Sequence, residues 1–213
     1  MSARTIYSKL RAAGLSPAGA CGLLGNLMAE SGMTANIAQR GMTELTDAQY
    51  TAKFDASPEL CYRDGVGYGL AQWTFWSRKQ ELSRFAKARG TSVGSENTQV
   101  EFILHELHSD FGKLWDFLCT TDDLYAAADR VCREFERPAV NNVDRRYEFA
   151  KVFYDEFNAA VSAPKEDKWF PPDLSILILQ AVLVGNAYNT EITGYKNEHF
   201  LKTLRQFVSD IGG

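Results

Sequence analysis

Apolar residues recur three and four positions apart along most of this chain, and sustained alternation of period two is hard to find. That periodicity restricts the fold to a mainly α-helical one. Ile6, Leu10 and Ala13 form a first stripe that stops at Gly14, and Ser16 with Pro17 then supplies the cap and first-turn residues of a second helix. Leu23, Leu24, Leu27 and Met28 give that helix its buried face, and Ser31-Gly32 ends it, which places Glu30 in its last turn. Further stripes run over Tyr50 to Phe54, with Asp47 as the expected cap, and over Leu82 to Ala86, Val100 to Leu107, Leu124 to Phe135 and Tyr147 to Phe157. Between Asp64 and Gly69 the density of glycine predicts tight turns and a small hairpin.

At 213 residues the chain is long enough for one full core and a small second module. The boundary falls in SAPKEDKWFPP, residues 162–172, where prolines and charges gather without helical spacing. The expected organisation is a catalytic domain over 1–161, a linker over 162–172 and a small helical module over 173–213.

A net charge of −4 gives no basic face for phosphate contacts, so nucleic acid is not an expected partner. The most apolar run, Leu174 to Val184, is too short to span a bilayer, and no signal peptide is visible near the N-terminus. Cys21, Cys61, Cys119 and Cys132 lack CxxC pairing and are expected to be reduced and mostly buried. His105 and His108 in HELH lack both the zinc-protease spacing and a third ligand, so no metal or other cofactor is implied.

Cleaving a glycosidic bond needs an acid that keeps its proton near neutral pH until the departing oxygen takes it. Apolar neighbours and the negative end of the helix dipole both disfavour the charged form of a carboxyl at position 30. Glu30 therefore suits that role. The stretch GLLGNLMAESGM, residues 22–33, and GYGLAQWT, residues 67–74, resemble the glutamate-serine and glycine-x-x-glutamine motifs of lysozyme-like transglycosidases. With GYGLAQWTFWSRKQEL, QVEFILHEL and FERPA at 135–139 in the same order, residues 5–157 resemble the phage tail lysozyme family more closely.

The resemblance implies an α-rich, lysozyme-like (α+β) domain with a small β-like insertion, Glu30 as catalytic acid, and peptidoglycan glycan as substrate. Tyr68 and Gln72 match the cleft-lining motif, where they either bind sugar or support the turn. Trp73, Phe75 and Trp76 are candidate sugar-stacking rings or core residues, with Trp73 favoured by adjacency. Arg137 either pairs with a carboxylate at the cleft or forms a scaffold ion pair. For a second catalytic carboxylate the candidates are Glu44, Asp47, Asp55, Glu59 and Asp64, and Asp64, ahead of the glycine-rich turn, is the choice. Hydrolysis and transglycosylation stay open.

In the C-terminal part, LILQAVLVGNAY, EITGY and EHFLKTLRQFV loosely resemble a small peptidoglycan-binding domain. A glycosidase joined to a wall-binding module fits an endolysin, made in the host cytoplasm and acting on the wall after release; a tail-associated enzyme is the runner-up context, and a noncatalytic peptidoglycan-binding or phage tail structural protein is the alternative of a different class.

Overall fold

The computed structural model describes residues 2–158. The linker and helical module expected over 162–213 lie outside the described residues. Among the described residues the fold is mainly α-helical: α1 (Ala3–Ala12), α2 (Pro17–Ser31), α3 (Asp47–Ala56), α4 (Trp76–Ala88), α5 (Glu96–Ser109), α6 (Gly112–Thr120), α7 (Leu124–Arg130) and α8 (Val143–Asn158). A 3-10 turn at Pro58–Leu60 follows α3, and a π-helical turn at Val131–Glu136 continues α7.

Helix α2 is the axis of the domain. Ser16 caps it by accepting from the Gly19 N–H at 2.8 Å, and Pro17 opens its first turn. Gly32, with φ of 58°, closes it in the left-handed conformation while its N–H reaches the Met28 carbonyl. Between these caps almost every face is buried, because α1, α6, α7 and α8 all pack against it. Close approach requires missing side chains. A Cβ on Gly19 would stand 2.0 Å from the Leu118 carbonyl oxygen, one on Gly22 2.6 Å from Ala127 Cβ, and one on Gly25 2.3 Å from the Arg146 carbonyl oxygen. Gly19, Gly22 and Gly25 thus form the seat on which α6, α7 and α8 rest.

Gly25→Ala is therefore expected to push α8 off α2, because the obstacle is backbone and not a side chain that can turn away. The cost should reach the upper part of the ~1–3 kcal/mol range for overpacking, read as a lowered urea midpoint with unchanged m. Wild-type stability for this variant would show that the two helices slide apart freely.

The other half of the domain is built from α3, α4, α5 and the turns between them. Thr46, not Asp47, caps α3: its hydroxyl accepts from Gln49 N–H, and the Gln49 side chain returns to the Thr46 N–H at 2.9 Å. Asp47 instead accepts from the Ala38 N–H at 3.0 Å, fastening the incoming loop. The expected β-like insertion is reduced to isolated antiparallel bridges, Ala38 with Tyr68 and Tyr68 with Trp73. Gly69-Leu70-Ala71-Gln72 is the turn between the latter two; Gly69 (φ 77°) leaves no room for a side chain, since a Cβ would meet Gln99 at 2.5 Å. Buried Gln99 holds that turn, accepting from Leu70 N–H and donating to the Ala35 and Val93 carbonyls.

Candidate active site

Glu30 leaves the last turn of α2 and accepts a 2.6 Å hydrogen bond at Oε1 from Arg146 Nη2 on α8. The side chains retain only 19% and 7% of their exposure, so the ion pair is largely sheltered. Arg146 Nη1 donates to Asn26 Oδ1 at 3.1 Å, and the Asn26 amide nitrogen donates to the Gly22 and Ala128 carbonyls. One buried asparagine thereby ties α2, α7 and α8 together directly beneath Glu30. The shape of this site follows from the glycine seat, because only close packing of α8 brings Arg146 within reach.

A second carboxyl lies in the same electrostatic neighbourhood. Glu136 ends the π-helical turn, and its Oε1 is sealed from solvent with no hydrogen-bonding partner. Burial first, and then the nearby Glu30 carboxylate, hold its pKa well above the ordinary carboxylate range, against the opposing pull of Arg78 and Arg146. The turn is fixed from α4 and α5. Arg78 grips Glu106 through Nε at 2.6 Å and Nη2 at 2.8 Å, donates through Nη1 to the Phe135 carbonyl, and lies 4.4 Å over the Phe135 ring. Arg137 leaves the turn at φ 51° with its Nε on the Glu134 carbonyl, not on a carboxylate.

Trp73 and Tyr68, two of the sequence-predicted contacts, are fully buried. The Trp73 indole N–H donates to Glu106 Oε2 at 2.9 Å, and the Tyr68 hydroxyl pairs with Thr51 Oγ1 at 2.6 Å. Both polar tips are satisfied inside the core, so these rings present no face to a sugar. Gln72 stays partly accessible, with its amide nitrogen on the Gly69 carbonyl at 2.9 Å. Beside this motif the exposed aromatic rings are Phe75 and Trp76, which are 63% and 40% accessible with ring centroids 6.2 Å apart, and the Arg63 guanidinium lies 4.7 Å over Trp76. A depression of about 270 Å³ lies beside Gln39, Arg40, Thr43 and Thr46, in the segment between Glu30 and Gly69.

Asp64 is held from three sides. Oδ1 accepts from Lys79 Nζ at 2.7 Å and from the Val66 N–H at 3.0 Å, and Oδ2 accepts from the Tyr50 hydroxyl at 2.8 Å. Burial raises its pKa, but hydrogen bonds from Lys79, Tyr50 and Val66 outweigh that and leave it below the usual value. The carboxylate chosen from sequence as Glu30's opposite number is therefore engaged by the scaffold on both oxygens. None of Arg146, Glu136 or Lys79 was reached by sequence reasoning. In the FERPA motif the sequence points to Arg137, whereas the buried carboxyl is that of Glu136.

The four cysteines are free, with Cys21, Cys61 and Cys132 buried, and burial pushes the Cys21 thiol up to about 12. His105 and His108 pack against Phe85 and Trp115, and no group of three metal-capable side chains occurs among the described residues. Among the described residues no helix is long and apolar enough to cross a membrane.

No curated protein matches the chain. The family model of the phage tail lysozymes does match, over residues 1–157, a span that includes the Glu30 helix, the Gly69–Gln72 turn and the Glu136 turn. The chain belongs to the phage tail lysozyme family, and with that membership comes a lysozyme-like, peptidoglycan-degrading activity.

Proposed function

We propose that this protein cleaves the glycan strand of peptidoglycan with Glu30 as the general acid. The observation that carries the reading is the setting of Glu30 within a span that matches this family: a largely sheltered carboxyl in the last turn of a buried helix, held in place by Arg146 at 2.6 Å. Gln72 is available to sugar hydroxyl or acetamido groups, and Phe75 with Trp76 offers apolar ring faces to pyranose rings. The endolysin role, with synthesis in the host cytoplasm, is part of the proposal; the family's name records a phage origin, which supports it, and a tail association, which supports the alternative of a tail-borne enzyme.

A second reading, non-hydrolytic cleavage giving an anhydro sugar, is favoured by one observation. Both Asp64 oxygens are held by Lys79, Tyr50 and Val66, which supports chemistry in which the substrate's own acetamido or hydroxyl group attacks in place of a protein carboxylate. Mass analysis of fragments released from purified walls separates the outcomes. Reducing ends identify hydrolysis, anhydro ends identify transglycosylation, and fragments cut only in the peptide would overturn the glycosidase reading.

A further inference from the structure

Gln39 clamps Gly67 through both of its polar backbone groups. The Gly67 carbonyl accepts from the Gln39 N–H at 2.8 Å, and the Gly67 N–H donates to Gln39 Oε1 at 3.1 Å. A Cβ built on Gly67 would stand 3.0 Å from Gln72 Oε1 and 3.1 Å from both Gln39 Oε1 and Thr74 Oγ1. Two carboxamides from separate segments therefore converge on one bare stretch of backbone. Backbone partners decide which way each faces: Gln39 engages its oxygen on the Gly67 N–H, and Gln72 engages its nitrogen on the Gly69 carbonyl at 2.9 Å. What they leave over is complementary, the Nε2 donor of Gln39 and the Oε1 acceptor of Gln72. Both are reachable, since Gln39 is exposed and Gln72 half-buried. Gln72 is also held at φ 44°, a left-handed conformation uncommon outside glycine and of the kind that gathers at ligand clamps. Gln39 lines the depression of about 270 Å³ described above, close to the ~300 Å³ lower end of small-molecule sites.

We propose that Gln39 is a specificity-determining residue: with Gln72 it brackets the acetamido group of an N-acetylated amino sugar, Gln39 Nε2 donating to the acetamido carbonyl and Gln72 Oε1 accepting from its N–H. The inference deepens the glycan-strand reading and rests on it. A trans secondary amide carries its N–H and C=O on opposite edges, whereas a single carboxamide shows donor and acceptor on one edge. Reading the group therefore takes two side chains held by different segments, which is the arrangement around Gly67. The glycine keeps the approach open, because a side chain there would press on both amides. A de-N-acetylated sugar presents an ammonium, which Gln72 Oε1 still accepts from, but it sets donor against donor at Gln39 Nε2. A site built to hydrogen-bond a group rejects the analogue that lacks it, because its own polar atoms are left unpaired.

Gln39→Glu keeps an acceptor for the Gly67 N–H and puts an acceptor where the free donor stood. The ratio of kcat/KM on N-acetylated walls to that on chemically de-N-acetylated walls is expected to fall about tenfold relative to the native protein. Comparing both proteins on both walls as a cycle cancels what de-N-acetylation does to the wall itself. A merely structural role lowers both rates together, and an unchanged ratio overturns the proposal whatever happens to the absolute rates. Failure of the glycan-strand reading is seen separately, as a native protein that releases no glycan fragments from either wall. On the native protein, the side-chain amide resonances of Gln39 and Gln72 should shift in NMR titrations with an oligomer of N-acetylglucosamine and stay in place with its de-N-acetylated counterpart. Those oligomers carry no stem peptide, so the shift assigns the site to the sugar's amide and not to a peptide bond. Equal shifts with both oligomers, or none with either, overturn the assignment even if the variant does not fold.

Discussion

Glu30→Gln is expected to slow wall lysis by about 10²–10⁴-fold, the usual range for removing a general acid, while the helices stay in place. Gln has the same outline, and its amide oxygen still accepts from Arg146 Nη2, so the seat of α8 on α2 survives. What disappears is the transferable proton and the charge. Exchanging the ion pair for a hydrogen bond from the same guanidinium to a neutral amide oxygen should cost about 1–2 kcal/mol in unfolding free energy. Glu30→Ala makes the contrast, because it leaves the sheltered Arg146 guanidinium without its carboxylate and should cost about 3–5 kcal/mol. Turbidity loss on purified walls, read beside chemical denaturation, distinguishes the effects: folded and inactive for Gln, weakened and inactive for Ala. Lysis at the native rate by a folded Glu30→Gln protein would remove Glu30 from the chemistry.

The ends of α2 were legible from sequence because cap chemistry is local: Ser16 and Pro17 at one end and Gly32 at the other act within a turn of themselves. The cap of α3 was misplaced by one residue for an equally local reason. Thr46 and Asp47 are both good caps, and the choice is made by the Ala38 N–H, which the sequence does not place. Helix α6 escaped notice because Phe111 at its start carries no capping side chain, leaving only Leu114 and Leu118 to mark it. The stripe from Leu124 to Phe135 was read as one α-helix, and its last part is a π-helical turn that ends on Glu136.

At the site, side-chain type was readable and direction was not. Trp73 adjoins the motif and yet turns inward, because Glu106 lies on α5 to accept its N–H, whereas Phe75 and Trp76, with no such buried partner, stay outside. Arg146 is 116 residues from Glu30 along the chain, and no local pattern announces such a pairing. The nearest thing to a signal was Asn26, a polar residue inside the most apolar helix, whose burial is tolerable only with partners on all sides.

Lys79→Met is expected to be among the most damaging single changes in the domain, at about 3–5 kcal/mol. The Lys79 side chain has no exposure, and its ammonium uses all three donors, on Asp64 Oδ1, the Tyr50 hydroxyl and the Val66 carbonyl. Removing it leaves Asp64 charged without its counter-ion. Asp64→Asn leaves the opposite orphan, a buried ammonium, and should cost a comparable amount, while Lys79→Met combined with Asp64→Leu should recover much of the loss. The pair also predicts a pH dependence. Because the folded protein holds Asp64 below its unfolded value of about 3.9, the unfolded chain binds the extra proton first, and stability rises with pH through that window. The contribution is complete above about pH 4 and is lost as pH falls through the folded value, a loss that Asp64→Asn cannot show. Denaturant titrations of the native and substituted proteins between acid and neutral pH test both parts. If Asp64→Asn matched native stability but lost lysis, Asp64 would belong to the reaction and Lys79 would be its positioning partner, reversing the scaffold assignment.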